Sequence, residues 1–228
     1  MSRFMSHPVL RGAALALTLL AASAGARADL AINATIDFDN VASGAAANGA
    51  LGSFASLMQF ANPDRVDDVD ALGSLTGTFH WVDATAVFGD VKVAASTNAV
   101  SGPNVLTNEL QPILLKFSAP VDIAAFSIQQ DLSGYGNPQT GGSYLAFLDA
   151  TGHELAGRSV FYTQAGHPSL TIQNGGVVTG VSALLLSGGT DYDNLHLATV
   201  SAVPEPGSIA LLLTGLGLIP GLRRRNRS

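Results

Sequence analysis

Cysteine is absent from the 228 residues, which excludes disulfides, thiolate metal sites and cysteine nucleophiles. Charge is also scarce: 12% of residues are charged, with 11 Lys and Arg against 17 Asp and Glu and a net charge of −6. Aromatic residues make up 7%, and Trp81 is the single tryptophan. No apolar run reaches the roughly 20 residues of an ordinary membrane span. No repeat of 20–50 residues is visible, so solenoids and propellers are excluded. The catalytic signatures are missing as well. There is no Gly-x-Ser-x-Gly elbow, no Gly-Lys-Ser/Thr phosphate loop and no His-Glu-x-x-His. His80, His153, His167 and His196 are scattered without metal-ligand spacing. Gly134-Tyr135-Gly136 lacks the third glycine and the strand-to-helix context of a dinucleotide loop. Acidic pairs exist, but sequence alone cannot set two carboxylates across a cleft as a glycosidase requires.

What is present lies first at the two ends. Arg3 and Arg11 form a basic start, Ala13 to Ala22 an apolar stretch, and Ala26-Arg27-Ala28 a small-x-small cleavage site. This is a Sec-type leader over residues 1–28, with the mature chain starting at Asp29. At the other end stand Pro204-Glu205-Pro206, an apolar run from Ile209 to Leu222, and Arg223-Arg224-Arg225-Asn226-Arg227-Ser228. The two prolines hold the motif extended and present Glu205 between them. The apolar run spans about 21 Å as a helix, short of the roughly 30 Å hydrocarbon core. Snorkelling arginines and local thinning would close the gap. Arg223, Arg224, Arg225 and Arg227 should stay cytoplasmic, leaving everything before Pro204 outside.

A Pro-Glu-Pro box, a greasy helix and an arginine tail, in that order, resemble the PEP-CTERM sorting signal of Gram-negative bacteria. The resemblance covers residues 204–228 and describes a route, not an activity. It implies recognition and processing by an exosortase, a passing stay in the inner membrane, and delivery to the cell surface or extracellular matrix. Family members of this kind resemble matrix and biofilm proteins associated with exopolysaccharide.

The body, residues 29–203, reads as one all-β domain. Runs rich in Val, Ile, Leu, Phe and Thr alternate with Gly, Pro, Asn and Asp clusters. Expected strands are 31–38, 77–82, 86–94, 113–117, 123–129, 144–149, 159–163, 169–172, 178–186 and 195–200. Asp149-Ala150-Thr151-Gly152 reads as a tight turn. Residues 54–60 and 66–72 look helical, and the acidic stretch Asp64, Asp67, Asp68, Asp70 reads as a solvated loop. An EF-hand fails there, because neither the loop glycine nor the closing glutamate falls in register. Ten strands argue for a two-sheet sandwich. The Asp-Asn-Leu of residues 193–195 before a final strand loosely resembles lectin-like and carbohydrate-binding modules. That likeness implies a jelly-roll-like arrangement, with first and last strands side by side and a structural calcium near them.

Charge and side chains then suggest ligands. The leader holds Arg3, Arg11 and Arg27, and the tail holds four arginines and Glu205. The body keeps Arg65, Lys92, Lys116 and Arg158 against the 16 acidic residues other than Glu205, a net of −12. Such a surface repels nucleic acid and anionic headgroups and favours divalent cations or simple solubility. Asp37 and Asp39, like Asp191 and Asp193, have the period-two spacing that puts two carboxylates on one strand face. Paired first and last strands would bring the four together as a calcium site. For a glycan, Tyr135 in the glycine-rich loop and Trp81 are the aromatic contacts, although Trp81 in mid-strand reads first as core. The sequence therefore points to a non-enzymatic, exported surface or matrix protein. The alternatives are a glycan-binding lectin-like module and a polysaccharide-active enzyme.

Overall fold

The computed structural model describes residues 31–97, 99–108, 111–131, 143–162, 169–172 and 176–200, which belong to the compact unit Asp29–Val200. The leader, its cleavage site at Ala26, Ala28 and Asp29, the Pro204–Pro206 box with its arginine tail, and the loop carrying Tyr135 lie outside the described residues. Among the described residues no helix is long and apolar enough to cross a membrane.

The fold is almost wholly β. Among the described residues ten strands share one sheet: β1 (Asn33–Ile36), β2 (Met58–Ala61), β5 (Lys92–Ala95), β6 (Asn104–Thr107), β7 (Ile113–Asp131), β8 (Ser143–Leu148), β9 (Val160–Tyr162), β10 (Ser169–Thr171), β11 (Val178–Leu186) and β12 (Asp191–Val200). Two more, β3 (Pro63–Val69) and β4 (Leu75–Asp83), form a separate hairpin.

The long strand β7 organises the sheet. Its first half pairs with β2 through Phe117 to Leu114, and with β11 through Lys116 to Ile113. Its second half pairs with β12 from Asp122 to Asp131. Pro120 lies between the halves, where a missing N–H is tolerated because the ladder is changing partners. Two separate runs were expected here, 113–117 and 123–129. They are one strand whose neighbours change.

Side-chain alternation runs through Pro120 and shifts once, just after Ile123. Ile113, Leu115, Phe117, Val121 and Ile123 enter the main core, as do Phe126 and Ile128 after the parity changes. That change coincides with a ladder irregularity between Ala198 and Thr199 of the partner strand. Both halves feed a single core with Phe38, Phe60, Phe147 and Tyr192. The sheet thus folds back over its own interior. As the sequence led one to expect, β1 lies against β12, antiparallel, with Ile36 opposite Leu195.

Near β2, β7, β11 and β8 the sheet is apolar on its other face too. Ala61, Leu114, Ala146, Leu148, Ala183 and Leu185 form a second buried cluster, and Trp81 from β4 packs on it. The hairpin covers an apolar face that water would otherwise wet.

Three local expectations are corrected. Residues 54–60 are not one helix: a 3-10 segment (Ala47–Phe54) gives way to β2. Asn48 takes the Phe60 N–H at 2.6 Å and donates to its carbonyl at 3.0 Å, tying β2 to the 3-10 segment. Residues 66–72 are neither helix nor solvated loop but mostly strand β3, with Arg65 opposite Trp81 and Val66 opposite His80. Cross-strand pairing, invisible to local propensity, decides it. The strand expected at 86–94 opens instead as one helical turn (Thr85–Phe88). Asp83 Oδ1 takes the Thr85 N–H at 2.9 Å, a local bond that favours a turn over a continued strand.

Candidate functional site

A groove of about 420 Å³ opens beside the second cluster, within the roughly 300–1,000 Å³ of small-ligand sites. Leu114 and Lys116 of β7 and Ala183 of β11 form its floor, Trp81 and Asp83 of β4 one wall, and the turn from Asp149 to Gly152 another. Floor residues come from the outward parity of their strands, so the same alternation that fills the core also builds the groove. Lys116 Nζ donates to Asp83 Oδ2 at 2.7 Å, tying floor to wall. Trp81 is half-buried; its indole Nε1 and the Ser182 hydroxyl are buried without a hydrogen-bond partner among the described residues.

Backbone geometry sets the wall. The Trp81 N–H donates to the Gly152 carbonyl at 2.9 Å. Gly152 has φ +86°, and a Cβ there would lie 2.2 Å from the Trp81 carbonyl oxygen. Only glycine meets both demands. The expected turn is present: Asp149 Oδ1 accepts from the Thr151 N–H at 2.8 Å, the Thr151 hydroxyl at 2.7 Å and the His153 N–H at 3.1 Å.

The carboxylates at the groove are both held below the usual range. Burial alone would raise Asp83, but the Lys116 ammonium and the Thr85 hydrogen bonds outweigh it. Burial would likewise raise Asp149, and its bonds from Thr151 and His153 outweigh that.

On the other side of the hairpin, Asp68, His80 and His153 converge. Asp68 Oδ1 lies 2.7 Å from His80 Nδ1 and Oδ2 lies 2.7 Å from His153 Nε2. The Thr78 hydroxyl donates to Oδ2 at 2.7 Å. Bonds from His153 above all, then Thr78 and His80, push the Asp68 carboxyl far below its ordinary value. Among the described residues this is the group of three acidic or histidine side chains whose ligand atoms all lie within 4.8 Å of one another.

The four aspartates expected to gather at the strand ends are placed as follows. Asp39 Oδ1 accepts the Asn104 N–H at 3.0 Å. Buried Asp193 accepts the Ser101 N–H at 2.7 Å and hydroxyl at 3.1 Å. Both therefore hold the loop before β6, and Gly102 passes so close that a Cβ would overlap the Asp39 carboxylate. Burial raises the Asp39 pKa, and the charges of Asp37 and Asp193 raise it further, against the Asn104 bond. Asp37 Oδ1 accepts the Asp39 N–H at 2.8 Å, and Asp191 opens β12 opposite Asp131.

Sequence reasoning named Trp81 but missed its neighbours. It also set His80 and His153 aside as scattered, although the hairpin partner of His80 was in plain view at Val66. A test of pairing between 63–69 and 75–83 would have brought Asp68 and His80 together. Nothing local points to His153, 85 residues from Asp68.

No family model and no curated protein matches the chain. Among solved structures, it is similar to the low-affinity xylan binding module CBM86 from the gut symbiont Roseburia intestinalis. That match has 10% identity and a TM-score of 0.28, over 78% of this chain and 98% of that one. It is also similar to the family 29 carbohydrate binding module CBM29-2, at 9% identity and TM-score 0.29, over 63% and 98%. A third is the K3 adhesin domain of Lys-gingipain from Porphyromonas gingivalis, at 11% identity and TM-score 0.30, over 74% and 98%. Superpositions this loose establish neither a shared fold nor a shared ligand.

Proposed function

We propose that the chain is an exported, exosortase-sorted surface or matrix protein whose body is a jelly-roll-like sandwich that binds a neutral glycan in the groove beside Trp81. The observation that carries the reading is the groove itself, where an aromatic wall stands beside an ion-paired Asp83 and Lys116. A pyranose ring offers an apolar face to an indole and hydroxyls to charged hydrogen-bonding groups. The body's net charge of −12, read from the sequence, disfavours polymers rich in uronic acid. The leader and the Pro204-Glu205-Pro206 tail support delivery to where such polymers lie.

The alternative of a polysaccharide-active enzyme finds less support. A glycosidase acid needs a carboxyl whose pKa is raised. Asp83 and Asp149 at the groove are both lowered, by partners that hold them ionised.

Affinity electrophoresis of the full-length protein against glucans, mannans, xylans and alginate tests the reading. At least one neutral polymer should retard migration, and Trp81→Ala should weaken binding roughly tenfold or more, with His196→Ala unaffected. Retardation by no neutral polymer, or an unchanged Trp81→Ala, refutes the groove. Mass analysis of the native surface fraction separately reads the route: a chain still ending in Arg223–Ser228 refutes the processing.

A further inference from the structure

We propose that Asp68, His80 and His153 form a zinc-class metal site that fastens the β3–β4 hairpin to the body. The donor set is one carboxylate oxygen, one Nδ1 and one Nε2, the mixture that borderline divalent ions prefer. The three ligands come from three places: β3, β4 and the residue after the turn that carries Gly152. A bound ion would therefore bridge the hairpin to a segment far along the chain.

Hydrogen-bond accounting at His153 supplies the second argument. The Thr151 hydroxyl has one proton and donates it to Asp149 Oδ1 at 2.7 Å. It must then accept from His153 Nδ1, 2.8 Å away. That leaves the Nε2 lone pair facing Asp68 Oδ2 at 2.7 Å, an oxygen that already accepts from Thr78. Two acceptors at that distance need a positive centre between them, a proton or a metal ion. A ligating histidine whose other nitrogen donates to an oxygen acceptor, itself anchored to a carboxylate, is the usual outer support of a metal site.

The remaining geometry suits an ion. Tetrahedral coordination at bond lengths of about 2.0–2.1 Å needs ligand atoms about 3.3 Å apart, so the two 2.7 Å contacts, made to different Asp68 oxygens, would lengthen while the three ligand atoms, all within 4.8 Å of one another, gather around the ion. The His80 and His153 rings are 5.4 Å apart and tilted by 41°, which lets both aim at one point. Side-chain exposures of 25% for His80, 19% for Asp68 and 40% for His153 leave a path for entry and for a water as fourth ligand. The site needs no glycan, so its failure and that of the groove are read separately.

The test uses full-length protein stripped with chelator. Titration calorimetry with Zn2+ should give one strong site per chain. Co2+ in its place should show the intense visible bands of a four-coordinate ion. A hundredfold excess of free Zn2+ over Kd should raise Tm by about 5–10 °C. The pair His80→Ala and His153→Ala should abolish all three signals, and Thr151→Val should weaken affinity about 10- to 100-fold. His196→Ala should change nothing. A separate Asp68→Asn variant guards against a merely misfolded double mutant: it should keep the native circular dichroism and lose the Co2+ bands. Absence of stoichiometric uptake, or uptake that survives in the double variant, overturns the site and leaves a proton between Asp68 and His153.

Discussion

Asp39 sits among like charges where the chain leaves β1, and its raised pKa has a definite consequence for stability. The folded state holds this proton more tightly than the unfolded chain, whose value is near 3.8. Its contribution is therefore most favourable below that value and is lost as pH rises through the folded pKa. Asp39→Asn keeps an oxygen for the Asn104 N–H and removes the repulsion from Asp37 and Asp193. Thermal melts in chelator should show the variant more stable than wild type at pH 7, with the gain vanishing below about pH 3.8. A calcium ion among these carboxylates would reverse the sign, since the charge would then be needed. A variant less stable than wild type at pH 7, only when calcium is present, would establish the metal that the strand-end aspartates suggested. The sequence could place the aspartates on neighbouring strands. It could not show that Asp39 and Asp193 are already occupied in holding the loop at Ser101 to Asn104.

The β3–β4 hairpin depends on a few points of attachment. Trp81 covers the second cluster, Lys116 grips Asp83, and the Trp81 N–H meets Gly152. Gly152→Ala strikes the last of these, because both its φ and its approach to the Trp81 backbone exclude a Cβ. The cost should be about 1–3 kcal/mol, read as a lower denaturation midpoint. Hydrogen exchange should rise in residues 63–83 well above its rise in β7. Uniform loosening of both would mean that the hairpin is not a separate attachment but part of the main core. The sequence was weakest in this element. An acidic strand with two valines carries little local β signal, and its identity comes from the opposite strand. By contrast β11 was readable residue for residue at 178–186, because its alternation is dense and both its faces are apolar.

The all-β class and the turn at Asp149 were legible in pattern and turn chemistry alone, whereas the pairing of first and last strands was expected only from the loose likeness of residues 193–195 to carbohydrate-binding modules. The groove was not, since it arises where three outward-facing positions of the sheet meet a wall from another sheet. No window of consecutive residues contains that coincidence. The long β7 was read as two strands for a related reason: Ser118-Ala119-Pro120 interrupts the apolar pattern, while the backbone continues through it.

The antiparallel pairing of β1 and β12 also says something about how the chain could be rewired. The Thr199 N–H donates to the Ile32 carbonyl at 2.9 Å, and the Ile32 N–H to the Thr199 hydroxyl at 2.7 Å. The beginning and end of the body are thus touching neighbours, and the order in which the chain visits its strands is arbitrary from that edge. A circular permutant with Ala31 joined to Val200 by a short glycine-serine linker, and new termini opened at Leu72–Gly73, would break no long-range ladder. Leu72 at that tip is 91% exposed, the kind of site where such openings are tolerated. The permutant should fold to the same circular dichroism with a melting midpoint within a few degrees of the parent body. Failure to fold would mean that the β3–β4 turn, rather than the β1–β12 edge, is where the fold must stay continuous.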